Sequence, residues 1–202
     1  MHAYCSEWHL NVNIQKTKII EFNSQGRVGT RIFNFGRLTI ENVKEYQYLG
    51  VLLAASGTFT YTIENLHMKA QKAMFHLKRS LNNTNINPSL GLNFFDHLIK
   101  PILLYGSEIW GPLYCSPNPR DTTDWCDEKS MESKHERLHL HFCKYILNVN
   151  RKATNMAVYG ELGRYPLYIS IWKQTVKYLE YIQCSKDDSL VKAAYEEAYK
   201  YK

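Results

Sequence analysis

Hydrophobic residues recur at three- and four-residue steps in the middle of the chain. This spacing begins after Thr62 and predicts an amphipathic helix of about five turns. The asparagine-rich segment 82–85 interrupts it, and Pro88 suits the first turn of a second helix. Pro101 predicts a kink or break in that second helix, because proline lacks the amide hydrogen that a helix interior uses. The apolar positions of the first helix are Ile63, Leu66, Ala70, Ala73, Leu77 and Leu81.

The beginning of the chain has a different pattern, in which short β-branched and aromatic runs alternate with glycine. Residues 3–12 indicate the end of a helix. The runs at 18–22, 30–35 and 46–51 then predict strands. The glycines at 26, 29 and 36 are typical of turns between strands. We expect a small antiparallel sheet whose independent stability is weak, because so few short strands bury little surface.

The second half of the chain is predicted to be mainly helical. Prolines with several Asp and Thr residues predict a loop over 112–128. Three or four helices follow, at about 130–148, 151–161, 166–184 and 187–201. The predicted fold class is therefore α+β, with a short antiparallel β segment followed by a mainly helical region.

Composition limits the class of protein. The chain has 202 residues, of which 45% are hydrophobic and 22% charged, so disorder from too little apolar content is not expected. No apolar stretch approaches the roughly 20 residues of a membrane helix, and we expect no membrane partner. Five scattered cysteines favour a reducing, intracellular compartment, either nucleus or cytoplasm.

Positive charge is concentrated in the first half of the chain. Residues 1–100 hold 11 Lys and Arg against 6 Asp and Glu, a net +5 of the total of +6. Part of this charge forms a basic stripe on the first predicted helix, opposite its apolar face and without an acidic member. Such a stripe suits sequence-independent contact with phosphates, although a solvated charged face is the alternative. The stripe contains Asn65, Lys69, Lys72, His76 and Arg79.

Four motifs resemble a known family. The N-terminal motif is Trp-x-Leu-x-x-Asn-x-x-Lys-Thr-Lys over residues 8–18, followed by an apolar strand; the others are Tyr48-Leu49-Gly50, the run 103–111 (LLYGSEIWG) and the run 157–167 (AVYGELGRYPL). In this order they resemble the C-terminal palm, thumb and connection of reverse transcriptases of LINE-type, non-LTR retrotransposons. The resemblance lapses over 112–134.

The resemblance implies a division into four segments. Residues 1–58 would be the end of the palm with its primer-grip hairpin, and 59–111 the thumb-like helices. Residues 112–134 would be a loop, and 135–202 a helical connection region. The metal-binding carboxylates of the family are not in this sequence, so we expect no catalytic residue, no metal ligand and no cofactor in this chain. Mg²⁺ is implied only for the parent RNA-directed DNA polymerase.

The resemblance also implies which residues bind nucleic acid. Asn13 and Thr17 can fix a turn before the strand that begins at Lys18. The resemblance places Lys16, in this turn, near a triphosphate. A solvated lysine in a turn is the alternative for Lys16. The main chain of Tyr48, Leu49 and Gly50 would approach the primer backbone, and a buried strand end is the alternative there. Lys69, Lys72 and Arg79 would contact phosphates of the template–primer duplex.

The expected partners are therefore an RNA/DNA template–primer and the missing fingers and palm of the parent enzyme. Two other functions remain open. One is a stand-alone basic module that binds nucleic acid. The other is a helical interaction protein or an inactive helical remnant. Its mark would be exposed apolar surface over 1–58, poor solubility and no preference for nucleic acid.

Other polar residues are better explained by structure than by chemistry. A zinc site is not expected from His135, His139, His141 and Cys143. His135 and His139 lie one helical turn apart, but the upstream Cys115 and Cys126 do not have the spacing of zinc ligands. Asp187 and Asp188 lie at a predicted helix start, where Asp is a good cap. Glu161 and Arg164 are expected to form a structural pair or cap, and the run around Trp110 is expected to pack.

Overall fold

The computed structural model describes residues 2–82, 87–115, 133–186 and 188–200. Within them the fold is α+β, as predicted: short strands near the N-terminus are followed by a long series of helices. Contacts between Cα atoms divide the chain into two compact units, Met1–Asn65 and Leu66–Lys202. We call them the β unit and the helical unit. The boundaries predicted for the four segments 1–58, 59–111, 112–134 and 135–202 remain predictions.

The β unit contains a short helix and five strands. The elements are α1 (His2–Glu7), β1 (Lys18–Ile19), β2 (Phe33–Phe35), β3 (Leu38–Asn42), β4 (Glu45–Tyr48) and β5 (Val51–Ala54). β2 and β3 form an antiparallel pair with Phe33 opposite Ile40, and β4 and β5 form a second antiparallel hairpin. β1 pairs with β3 in parallel.

Three details of the β unit differ from the prediction. The helix α1 ends at Glu7 rather than near residue 12. The predicted strand 46–51 is divided by a turn at Leu49 and Gly50. The strand β3 has no counterpart in the prediction, and its pairing with β1 is parallel. Pairing between strands that are far apart in sequence depends on the tertiary fold, which local patterns do not encode.

The helical unit follows the hydrophobic periodicity closely. The first predicted helix is α2 (Thr60–Leu81), which begins in the β unit. The next are α3 (Pro88–Phe94), α4 (Lys100–Leu103) and α5 (Ser107–Cys115). Then come α6 (Lys134–Ile146), α7 (Asn155–Leu162), α8 (Leu167–Cys184) and α9 (Leu190–Lys200). Helix α5 extends into the predicted 112–128 loop as far as Cys115. From residue 116 onward the predicted loop lies outside the described residues.

Pro101 widens its helix rather than breaking it. A π-helical turn, Phe95–Ile99, joins α3 to α4, and the amide of Lys100 donates to the carbonyl of Phe95. Because proline cannot donate to the carbonyl four residues earlier, a local π-turn is one way to keep the chain helical. The predicted distortion is therefore present. Within the turn Phe95 is buried, whereas Asp96 is partly exposed.

The core of the helical unit is built from α2, the π-turn and α6. It contains Ala70, Met74 and Leu81 of α2, Phe95, Ile99 and Leu103 around the π-turn, Leu138 and Phe142 of α6, and Leu167. These residues bury apolar surface from elements far apart in sequence, which provides the main stabilisation. None of the helices in the described residues is long and apolar enough to span a membrane.

Candidate nucleic-acid interface

The β4–β5 hairpin exposes the residues predicted to grip a primer. Leu49 and Gly50 form its two-residue turn, and their φ angles of +47° and +85° fit a type I′ turn. Tyr48 is 59% exposed and Leu49 is 72% exposed. The alternative of a buried strand end is therefore wrong. Contact with a primer stays a prediction.

Leu49 occupies a backbone conformation that suits asparagine or glycine better. A left-handed conformation costs a residue with a branched side chain about 1–2 kcal/mol, and Asn-Gly is the preferred pair for this turn. We expect Leu49→Asn to stabilise the β unit by about 0.5–1 kcal/mol, since the exposed side chain loses little burial. Urea unfolding measures the effect. Leu38→Asn is the control, because Leu38 is also exposed but lies in strand β3, where asparagine is unfavourable.

The turn before β1 is built as its sequence predicts. The Asn13 side chain accepts from the amide of Lys16, and the Thr17 hydroxyl donates to the carbonyl of Asn13. The Tyr46 hydroxyl donates to the carbonyl of Lys16 at 2.9 Å, which joins this turn to strand β4. The Lys16 side chain is exposed.

Lys18 differs from Lys16 because it already has an anionic partner. Its ammonium group forms an ion pair with Glu41 on the neighbouring strand β3. A phosphate would therefore have to compete with a carboxylate for this lysine. The role of both lysines in binding nucleic acid stays a prediction.

The basic stripe of α2 lies on an exposed helix face. Lys69, Lys72 and Arg79 are all exposed, while Ala70 and Met74 point into the core. Within the described part of the chain, no ion pair is recorded for any of the three cations. From Lys69 to Arg79 the stripe is about 15 Å long. Exposed Met68 and Phe75 lie beside it, so the face is both cationic and apolar.

A second cationic cluster was missed by the sequence analysis. Lys78 of α2 and His141 of α6 lie together in the helical unit, with Lys78 Nζ 3.5 Å from His141 Nε2. Arg151 of the α6–α7 loop is near enough for its charge to act on both. Burial, and then the charge of Arg151, lower the pKa of Lys78 to about 8. Burial, Lys78 and Arg151 also lower the pKa of His141. Lys78 and His141 are 63 positions apart in sequence, so no local pattern predicts that they meet.

A buried polar network occupies the other side of α6. Glu136 accepts hydrogen bonds from the Tyr159 hydroxyl, from the Leu167 amide at 2.6 Å and from His139 Nδ1 at 3.0 Å. Glu136 and His139 are each only 1% exposed. Burial, with the negative charge of Glu136 next, raises the pKa of Tyr159, so the phenol stays protonated and donates. We interpret this network as the junction of α6, α7 and α8.

Arg164 has a structural role, as expected, but its partner differs from the expected one. It does not pair with Glu161. Its guanidinium instead donates two hydrogen bonds to Asp96, at 2.5 and 2.7 Å. Burial acts to raise the pKa of Asp96, but the hydrogen bonds and charge of Arg164 outweigh it, and the pKa is lowered. The π-turn places Asp96 where Arg164 can reach it.

Where the structure describes them, the other polar candidates from the sequence are explained by packing rather than by a binding site. His135 is buried and stacks on Trp110, with ring centroids 5.7 Å apart. Burial raises the pKa of the Cys143 thiol to about 12, which disfavours the thiolate that binds metals. Among the described residues no group of three or more His, Cys, Asp or Glu could hold a metal ion. Cys126, Asp187 and the Cys115 side chain lie outside the described residues.

Comparison with known proteins gives one relative. A Caenorhabditis elegans protein described as an uncharacterized transposon-derived protein is 30% identical over 108 residues, which is 52% of this chain. The chain spans only 38% of the length of that protein. The similarity suggests that the chain derives from a transposon. No protein-family model matches the sequence, and no solved structure matches the fold.

Proposed function

We propose that this chain is the C-terminal palm, thumb and connection part of a LINE-type reverse transcriptase. In this proposal the chain binds the template–primer duplex, and the catalytic aspartates with their Mg²⁺ belong to a part of the enzyme that this sequence does not contain. Two kinds of observation support it: the four family motifs in order, and the similarity to a transposon-derived protein.

The exposed stripe on α2 is the single observation that carries the binding role. Its cations follow one face of a regular helix, and no carboxylate lies among them. Each strand of a duplex advances about 3.4 Å per nucleotide, so a 15 Å stripe matches about four to five nucleotides along the axis. Contacts of this kind depend on backbone charge and are independent of sequence.

Charge reversal at the centre of the stripe tests the proposal. For Lys69→Glu combined with Lys72→Glu we expect the affinity for an RNA–DNA hybrid to fall on the order of 100-fold at low salt. The slope of log K against log salt concentration should become shallower by about 2, since each phosphate contact contributes about 0.9. Fluorescence anisotropy of a labelled hybrid over a salt series measures both quantities.

A second double variant separates local contact from overall charge. Lys173→Glu with Lys177→Glu makes the same change in net charge on α8, where both lysines are exposed. We expect it to alter affinity only modestly and to leave the slope nearly unchanged. Equal slopes for the stripe variant and the unmodified chain would contradict the proposed role of α2.

A stand-alone nucleic-acid-binding module is the second candidate. The helical unit favours it, because this unit has a contiguous buried core of its own. The exposed apolar residues of the β unit favour instead a fragment or a remnant; they include Trp8, Leu10, Phe22, Ile32 and Leu38. Tight, salt-sensitive binding by a stably folded monomer would support the module. Aggregation without preference for nucleic acid would support the remnant.

A further inference from the structure

Three elements of the helical unit hold the second cationic cluster in place. Lys78 is in the last turn of α2, His141 is on α6, and Arg151 is in the loop that follows α6. The Lys78 ammonium lies 4.5 Å from the centre of the Tyr145 ring, and the Tyr145 hydroxyl donates to the carbonyl of Lys78. The aromatic ring therefore fixes the lysine by a cation–π contact.

The loop that carries Arg151 is also fixed. Lys144 Nζ donates to the carbonyl of Arg151 at 2.8 Å, and the Asn150 side chain accepts from the amide of Lys152. These bonds hold the loop against the last turn of α6. Because Lys144 uses its ammonium on this carbonyl, it supports the position of Arg151 as well as adding positive charge.

Carboxylates are absent from the sequence on either side of these three residues. The sequence contains no Asp or Glu between Glu64 and Asp96, nor between Glu136 and Glu161. The structure records no ion pair for Lys78, His141 or Arg151 with any residue it describes. Burial is the main cause of the lowered pKa values of Lys78 and His141, and the neighbouring positive charges add to it. A bound anion would relieve this second contribution.

We propose that Lys78, His141 and Arg151 form a binding site for a phosphate group. Lysine supplies a point charge, and arginine supplies a planar fork that matches phosphate oxygens. His141 adds a hydrogen-bond donor when its ring is protonated, and a bound phosphate would favour that protonated form. The site is separate from the α2 stripe, because Lys78 lies toward the α6 side of the helix. It does not depend on the proposed polymerase ancestry.

Helix dipoles explain only part of this arrangement. The carboxyl end of a helix attracts cations, which accounts for Lys144 in the last turn of α6 and for Lys78 in the last turn of α2. It does not account for Arg151, which lies beyond α6. Lys78 can only donate in its 3.5 Å contact with His141 Nε2, and an oxyanion would give the lysine, the arginine and the protonated histidine a common acceptor.

Titration with inorganic phosphate tests the site on the full chain. The ring protons of His141 are followed by NMR, with His141→Gln used to assign them and sodium chloride at matched ionic strength as the reference. We expect a saturable shift with phosphate and an increase in the pKa of His141. Arg151→Gln should weaken phosphate binding about tenfold, because one charge-assisted contact is lost.

Two further variants make the result specific. Lys78→Met keeps an apolar stem against Tyr145 and should also weaken binding about tenfold, whereas Lys177→Gln on α8 should leave binding unchanged. The stripe variant Lys69→Glu with Lys72→Glu should bind phosphate normally, which separates this site from the proposed function. Equal His141 shifts in phosphate and chloride, or unchanged binding in Arg151→Gln, would overturn the proposal.

Competition identifies the source of the phosphate group. A single-stranded oligonucleotide without terminal phosphates that displaces inorganic phosphate would assign the site to a nucleic-acid backbone. Saturable phosphate binding that the oligonucleotide does not affect would assign it to free phosphate or a small phosphorylated ligand. In either case the three side chains bind the same oxyanion.

Discussion

Replacing Glu136 by alanine is expected to destabilise the helical unit by about 3–5 kcal/mol. The carboxylate accepts hydrogen bonds from three buried donors: the Tyr159 hydroxyl, the Leu167 amide and His139 Nδ1. Alanine leaves all three without this acceptor and opens a cavity as well. A loss of this size is a large part of the total stability of a domain.

The measurement is urea unfolding followed by circular dichroism, with two comparison variants. Glu136→Gln keeps the size and one acceptor oxygen, so we expect a smaller loss of about 1–3 kcal/mol. Glu161→Ala removes an exposed carboxylate of α7 and should change stability by less than about 0.5 kcal/mol. If Glu136→Ala and Glu161→Ala unfold at the same urea concentration, the network does not hold α6, α7 and α8 together.

Replacing Phe95 by alanine is expected to cost about 3–5 kcal/mol in the same unit. Phe95 is fully buried, and its ring lies 5.0 Å from His139 and 5.1 Å from Phe142. The Arg164 guanidinium is 6.0 Å from the same ring. The substitution therefore removes core packing and loosens the surroundings of the Asp96–Arg164 pair.

An identical change on the surface provides the control. Phe75→Ala on α2 removes the same atoms from a side chain that is 64% exposed, and we expect a loss below about 0.5 kcal/mol. Thermal unfolding of both variants by circular dichroism measures the difference. Similar melting temperatures would show that the π-turn does not carry Phe95 into the core. A larger loss for Phe95→Ala alone would support the described packing.

Local sequence patterns were sufficient for much of the secondary structure. The apolar steps from Ile63 to Leu81 predicted α2, because a 3.6-residue period places those side chains on one face. Pro88 at the start of α3 and the distortion before Pro101 follow from the missing amide hydrogen of proline. The exposed basic stripe follows from the same period.

Local patterns do not identify the partner of a group when a distant part of the chain competes for it. Ser133 and Glu136 have the spacing of a capping box, in which the glutamate would bond back to the serine amide. The Ser133 side chain does cap α6, but the Glu136 carboxylate instead accepts from Leu167 at the start of α8. Arg164 likewise bonds to Asp96 rather than to nearby Glu161. Burial explains the first case, because Glu136 is only 1% exposed and a buried charged group needs the strongest partners within reach. In the second case Asp96 accepts two hydrogen bonds from the guanidinium, a strong bidentate geometry.

Local sequence patterns predicted most of the helices and the basic stripe of α2, and they carry the resemblance that motivates the proposed function. Each of these depends on residue types at short spacings. The parallel pairing of β1 with β3, the buried network around Glu136 and the contact between Lys78 and His141 are visible only in the folded structure. Those features join residues that are far apart in sequence, and their partners are selected by packing and electrostatics in three dimensions rather than by local periodicity.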